Sequence, residues 1–287
     1  MAVFPDGYVE RLIAEALRED IGPGDITSAA TVPESKMSHA RLIAKAPGVL
    51  SGVDVARAVL LAVNPQVKVS GSEDEGRRVS RGDLVLTVEG RARDLLSAER
   101  TAINFLAHLS GVATLTARFV EAVAGTNARV LDTRKTTPGL RLLEKRAVRA
   151  GGGENHRTGL FDMVLIKENH INAAGGITEA VTACKRHLQE RGDAKTKIEV
   201  ETTCREEVEE ALAIGCDRIM LDNMGIDELR SAVALIRSMS RKMEIEASGN
   251  MNLERVNAVA KTGVDFISIG ALTHSAPVLD LSLLFDS

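Results

Sequence analysis

Four cationic residues, Arg134, Lys135, Arg157 and Lys167, stand at the ends of apolar runs or beside glycines in the stretch Asp132 to His170. Backbone geometry rather than solubility usually selects residues at such places. The stretch carries eight positive side chains against five negative, and nets +3 in a chain of formal charge -4. Basic residues gathered in this way attract a small polyanion. Arg141, Lys145, Arg146 and Arg149 fall at helical spacing in the same stretch and read as a solvated helix face. His156, flanked by Asn155 and Arg157, reads as part of an anion clamp, and His170 as structural.

Glu201 and Asp222 each close an apolar, β-branched run. Carboxylates so placed could hold Mg²⁺, which prefers oxygen ligands and bridges to substrate phosphates, or accept hydrogen bonds from sugar hydroxyls. Glu199 rivals Glu201, because alternation along a strand sends both to the same side. Ser248-Gly249-Asn250 and Gly270-Ala271 follow two further runs and precede helical segments, where backbone N–H groups and a helix N-terminus bind phosphate. The histidines lack HExxH spacing, so zinc is not indicated. Neither GxGxxG nor a P-loop pattern occurs, and Gly151-Gly152-Gly153 reads as a flexible turn.

The elements that must hold these groups are legible in outline. Residues 8–19 space Leu12, Ile13, Ala16 and Leu17 as a helix, which the sequence from Asp20 to Asp25 breaks. Residues 39–95 consist of short β-like runs around one amphipathic helix near Val53–Val63, the texture of an α+β domain on a small, mostly antiparallel sheet. Ser97 reads as the N-cap of a long helix with Arg100 in its first turn, where a cation opposes the helix dipole. After Gly125, runs at Val130-Leu131, 163–166, 198–200, 218–221, 243–245 and 266–269 alternate with amphipathic helices, including 203–214, 226–238 and 252–262. That alternation predicts a parallel β/α architecture, and charged or glycine residues at successive run ends favour a barrel with its site on the C-terminal rim. A complete eightfold barrel takes about 250 residues, so an irregular barrel with fewer strands is expected here.

Composition narrows the function classes. At 287 residues with 44% apolar side chains, the chain can bury a substantial core. No window approaches the roughly 18 apolar residues of a membrane span, and a cytoplasmic protein is expected. Cys184, Cys204 and Cys216 are widely spaced and read as buried thiols. One Tyr, no Trp and a pI near 5.9 argue against nucleic acid as a partner. The run Arg81 to Gly90 has the strand-and-turn style of a biotinyl or lipoyl carrier, but no Lys lies between Lys68 and Lys135 to be modified.

Specific motifs sharpen this reading: DTRKTTPG from Asp132, GGENHR from Gly152, LIKENH from Leu165, EVE from Glu199, LDN from Leu221 and EASG from Glu246. With EDIGPGDIT from Glu19 and ERTAIN from Glu99, they resemble the quinolinate phosphoribosyltransferase family over nearly the whole chain. The resemblance implies an N-terminal α/β sandwich domain (1–108), an α/β barrel of about seven strands (109–274), and a tail (275–287) packing back on the N-terminal domain. It implies a homodimer with shared active sites, or a higher oligomer, acting on quinolinate and phosphoribosyl pyrophosphate with Mg²⁺. On this pattern Arg100 reaches across the interface to a substrate carboxylate, while Arg134, His156 and Arg157 hold the two quinolinate carboxylates. Lys135 and Lys167 sit between quinolinate and pyrophosphate, Glu201 and Asp222 serve the ribose and the metal, and Ser248, Gly249 and Gly270 take the 5-phosphate. His274 matches a family site position as well. The rival expectations are a phosphoribosyl transfer to nicotinate without decarboxylation, a Schiff-base aldolase using Lys135 or Lys167, and a binding module built on residues 67–90.

Overall fold

The computed structural model describes residues 5–286. In chain order, α1 (Tyr8–Ile21) and α2 (Ile26–Thr31) precede β1 (Met37–Ala44), β2 (Gly48–Val49), α3 (Val53–Val63), β3 (Lys68–Ser70), β4 (Arg78–Val79), β5 (Leu84–Arg91) and the long α4 (Ala92–Ala122). There follow β6 (Arg129–Leu131), α5 (Arg141–Ala150), β7 (Val164–Ile166), α6 (Glu168–Ala174), α7 (Ile177–Glu190), β8 (Ile198–Thr202) and α8 (Arg205–Ile214). The chain ends with β9 (Arg218–Asp222), α9 (Ile226–Met239), β10 (Glu244–Ser248), α10 (Val256–Ala260), β11 (Phe266–Ser268), α11 (Ala271–His274) and β12 (Leu281–Phe285).

Two compact units result, one of residues up to Ala117, Thr137–Gly152 and Ser275 onward, the other of Arg118–Thr136 and Gly153–His274. The chain passes between them more than once: the boundary expected after residue 108 falls instead after Ala117 within α4, residues 137–152 return to the first unit, and the tail from Ser275 belongs to it as well. The physical reason lies in α5. It buries Leu143, Ala147 and Val148, and Arg146 forms a two-pronged pair with Asp54 (2.7 and 2.8 Å), which ties this helix to the first unit.

The first unit has an antiparallel sheet in the order β12-β1-β5-β3 and a small β2-β4 pair. Alternation makes β1 two-faced: Ala40, Leu42 and Ala44 are buried while His39 and Arg41 are exposed. Of the basic α5 side chains Arg149 is exposed as expected of a solvated face, whereas Lys145 departs from it at only 2% exposed. Gly151, the first glycine after α5, is packed rather than free: a Cβ there would lie 2.3 Å from the Ala113 carbonyl oxygen. α4 starts at Ala92, so Ser97 and Arg100 sit in its second and third turns and the dipole argument for Arg100 does not apply. Ser97 Oγ instead donates to Asp25, the N-cap of α2 (3.1 Å).

The second unit is a parallel sheet in the order β6-β11-β10-β9-β8-β7. Strands adjacent in sequence are adjacent in space from β7 to β11, and β11 then returns to β6, the ordering of a barrel. The free side of β6 takes a one-residue parallel bridge from Glu154, with Glu154 N donating to Val130 O (2.8 Å). Six strands and this bridge stand where about seven strands were expected. Outward residues such as Val200, Ile219, Leu221, Ile245 and Ile267 are fully buried beside helix residues Val208, Leu229, Ile236 and Val259. The alternate positions, facing the other way, are mostly polar or charged. They are Glu199 and Glu201 on β8, Arg218, Met220 and Asp222 on β9, Glu244, Glu246 and Ser248 on β10, and Phe266 and Ser268 on β11.

Candidate active site

The C-terminal ends of these strands surround a cavity of about 640 Å³. Arg134, Lys135, His156, Arg157, Lys167, Glu201, Asp222, Ser248, Gly249, Gly270 and His274 all line it, and all belong to the second unit. Arg100 lies exposed on α4 in the first unit and is not among the lining residues.

Each wall has its own support. Lys135 is placed by its own backbone: its N–H donates to Thr133 Oγ1 (3.0 Å) and its carbonyl accepts from Thr273 Oγ1 of α11 (2.7 Å). Gly270 keeps that corner open, because a Cβ there would come within 3.1 Å of both Lys135 Cδ and His274 Nε2. At the end of β7, Lys167 N donates to His170 Nδ1 (3.0 Å), and Lys167 Nζ is paired with Glu201 Oε2 at the end of β8. On the next strand end, Asp222 accepts from Asn223 Nδ2 (2.6 Å).

Ser248-Gly249-Asn250 is braced from below by the chain after β9. Asn223 N donates to Ser248 O (3.0 Å), and Asn250 Nδ2 donates to Asn223 Oδ1 (3.3 Å). Both Asn223 (φ 56°) and Asn250 (φ 47°) are left-handed, a region non-glycine residues seldom occupy. α10 begins only at Val256 and α11 has four residues, so this loop does not run directly into a helix as the sequence suggested.

His156 and Arg157 are held by the segment that bridges to β6. Asp132, fully buried, accepts from His156 N (2.9 Å) and from Asn155 Nδ2 (2.6 Å). Both nitrogens of the His156 ring face the protein. Nδ1 accepts from Arg157 N (2.7 Å), while Nε2 lies 3.1 Å from Glu199 Oε2 and 3.3 Å from Glu246 Oε2. The protein thus engages both ring nitrogens, and His156 still lines the cavity. Burial opposes a charge on His156, but Glu199 and Glu246 outweigh it and lift the imidazole to about 9. The Arg157 amide acts in the opposite sense, because it occupies the lone pair that a second ring proton would take. Burial, then the nearby Glu246 carboxylate, pushes Glu199 up to about 7. Burial raises Glu246 too, yet His156, Ser268 and Arg218 hold it below the usual carboxylate range. The Arg157 guanidinium is lowered by burial and then by the like charge of Arg134.

Beneath this cluster Arg218 donates to Glu246 (3.0 Å) and Glu244 (2.9 Å) and stacks on Phe266, its guanidinium 4.0 Å from the ring centroid. Arg129 lies on the same ring at 4.2 Å. Glu199, Glu246 and His156 are the group of side chains whose ligand atoms lie within 4.8 Å of one another, close enough to surround a cation. Sequence spacing could not have found them, for they come from β8, β10 and the bridge segment. Their one sequence signal is charge at alternate strand positions. The cysteines also depart from expectation: Cys184 and Cys216 are half-buried, and Cys204 is exposed at the N-cap of α8.

Comparison with known proteins places this site in a family. Residues 112–284 match the C-terminal domain, and residues 25–110 the N-terminal domain, of quinolinate phosphoribosyl transferase. The chain is 44% identical to a Synechocystis sp. protein named "Probable nicotinate-nucleotide pyrophosphorylase (carboxylating)" over 96% of this chain and 92% of that one. It is 42% identical to the Nicotiana tabacum quinolinate phosphoribosyltransferase (decarboxylating) 1b, covering 99% and 84%. The solved nicotinate-nucleotide pyrophosphorylase of Francisella tularensis superposes with a TM-score of 0.92 at 40% identity, over 99% of this chain and 98% of that one. With both domain descriptions matched and full-length identity above 40%, the chain belongs to the quinolinate phosphoribosyltransferase family.

Proposed function

We propose that the protein transfers a phosphoribosyl group from phosphoribosyl pyrophosphate to quinolinate with loss of CO₂, giving nicotinate mononucleotide and pyrophosphate. The observation that carries this reading is the gathering of Arg134, Lys135, Arg157 and Lys167 with Glu201 and Asp222 around one cavity, in a chain of this family. Both substrates are anions, so bringing them together costs Coulomb repulsion that cationic side chains in a cleft of reduced dielectric offset. Arg134 and Arg157 suit the two carboxylates because a guanidinium can bond both oxygens of each. His156 supports Arg157 from behind.

The pyridine nitrogen attacks the anomeric carbon, forming the N–C bond as the C–O bond to pyrophosphate breaks. Lys135 and Lys167 balance the leaving charge, and positioning of the two reactants supplies much of the remaining acceleration. The ring nitrogen, now quaternary, accepts the electron pair released when the adjacent carboxylate departs as CO₂. That acceptor makes a strong base unnecessary for the loss of CO₂, and a proton from water then takes the vacated carbon.

Glu201 and Asp222 offer the carboxylate oxygens that Mg²⁺ takes, on the same cavity as the lysines, so the donor set fits that ion. Bound there, Mg²⁺ would add positive charge beside the pyrophosphate. Ser248, Gly249 and Gly270 form the phosphate end, with His274 beside them. In a homodimer, Arg100 of each chain would complete the partner's site.

The test is direct. The protein is mixed with quinolinate, phosphoribosyl pyrophosphate and Mg²⁺, and both nicotinate mononucleotide and CO₂ are followed; both are expected. Turnover of nicotinate in place of quinolinate, with no CO₂, would reassign the chain to the non-decarboxylating transfer.

A further inference from the structure

Barrel interiors are ordinarily filled by branched apolar side chains. Here two carboxylates with no solvent exposure, Glu199 on β8 and Glu246 on β10, occupy that place with β9 between their strands. Burying one carboxylate is costly, and burying two side by side is worse unless cations or donors meet them. Glu246 is met by Arg218 Nη1 (3.0 Å) and Ser268 Oγ (2.5 Å). Glu199 makes no well-aligned hydrogen bond among the described residues, and its oxygen nearest a donor faces His156 Nε2 at 3.1 Å. The pair therefore requires a hydrogen on Nε2. The opposite ring nitrogen then keeps its lone pair toward the Arg157 amide at 2.7 Å, and Arg157 lines the cavity.

We propose that Glu199 and Glu246 are positioning residues for the acceptor carboxylates: they fix the His156 ring with its Nε2 hydrogen pointing into the barrel, and through Nδ1 they fix the Arg157 amide and guanidinium at the cavity wall. This rests on the phosphoribosyl transfer proposed above. The two carboxylates do not touch substrate; they act through His156. Arg218 completes the charge balance by holding Glu246 from the far side. A divalent cation is a poor rival occupant, because the guanidinium already stands on the carboxylate it would need.

Steady-state kinetics of Glu199→Gln, His156→Gln and the double variant test the route. Each single change is expected to raise the KM for quinolinate about tenfold, with kcat and the KM for phosphoribosyl pyrophosphate changed far less. The double variant is expected to be no worse than His156→Gln alone, because both changes cut one chain of contacts. Additive losses, or equal effects on both substrates, would mean a purely structural role and overturn the proposal.

A second measurement needs no variant. In wild-type protein labelled with ¹⁵N-histidine, the His156 Nε2 resonance should remain that of a protonated nitrogen throughout the pH range in which the protein is folded. A switch to the Nδ1–H tautomer, or one equivalent of zinc retained after chelation, would overturn the proposal. If wild-type protein makes no nicotinate mononucleotide, the functional reading fails, while the labelled spectrum still decides the geometry of the cluster.

Discussion

Lys167 and Glu201, which end adjacent parallel strands, are paired across the mouth of the cavity, the lysine 47% exposed and the carboxylate 13%. Such a pair contributes little to stability, since exposed ion pairs are worth about 0–1 kcal/mol. Its value in the proposed reaction is to present a cation beside the carboxylate proposed to hold Mg²⁺. Lys167→Ala is therefore expected to lower kcat by about a hundredfold or more, in line with removal of one group that stabilises developing charge. Its melting temperature should stay within a few degrees of the wild type. Turnover and thermal unfolding measured on the same preparation check both halves; a folded variant with near-normal kcat refutes the role.

Why the sequence announced Lys167 and Glu201 but not their supports is a matter of periodicity. A strand end is visible because an apolar run stops at a charged, serine or glycine residue, and Lys167, Glu201, Asp222, Ser248 and Gly270 all satisfy that pattern and all line the cavity. The layer beneath is marked only by alternation, as in Glu199-Val200-Glu201 or Glu244-Ile245-Glu246. Alternation tells that two residues share a side, not which cation from another strand meets them. His156, Glu199 and Glu246 are separated by tens of residues, so parallel pairing alone brings them together. The six strands were readable because each is a short apolar run. The seventh position was not, because Glu154 contributes one bridging residue and no run. Ser97 misled for a different reason: a serine before an apolar stretch resembles an N-cap, but nothing in the residues from Ala92 onward breaks a helix, and α4 starts five residues earlier.

The loop proposed to take the 5-phosphate offers a steric test. Gly249 has φ of 94°, and a Cβ there would lie 2.2 Å from Asn223 Oδ1 and 2.9 Å from Asn223 N. The second of these is backbone and cannot swing away. Gly249→Ala should therefore displace the Ser248–Asn250 loop and raise the KM for phosphoribosyl pyrophosphate about tenfold or more, while quinolinate binding changes little. Binding of each substrate measured separately by calorimetry checks this. Equal weakening of both ligands would show that the loop is not specific to the phosphate end.

Arg100 supplies the sharpest test of a shared site. It is exposed, lies in the unit that does not line the cavity, and sits in the third turn of α4, where neither capping nor the helix dipole accounts for it. If each chain of a homodimer lends this guanidinium to its partner, Arg100→Ala and Lys135→Ala are each inactive alone, for different reasons. In a dimer of one chain of each kind, one site combines the intact barrel of the first variant with the intact Arg100 of the second. The other site lacks both groups. Random reassortment of equal amounts makes half the dimers mixed, each with one of its two sites whole, so about a quarter of wild-type activity should return. Mixing the purified variants under conditions that exchange subunits, with size-exclusion chromatography to confirm dimers, measures the recovery. No recovery in verified mixed dimers would confine the site to a single chain and leave Arg100 without a part in it.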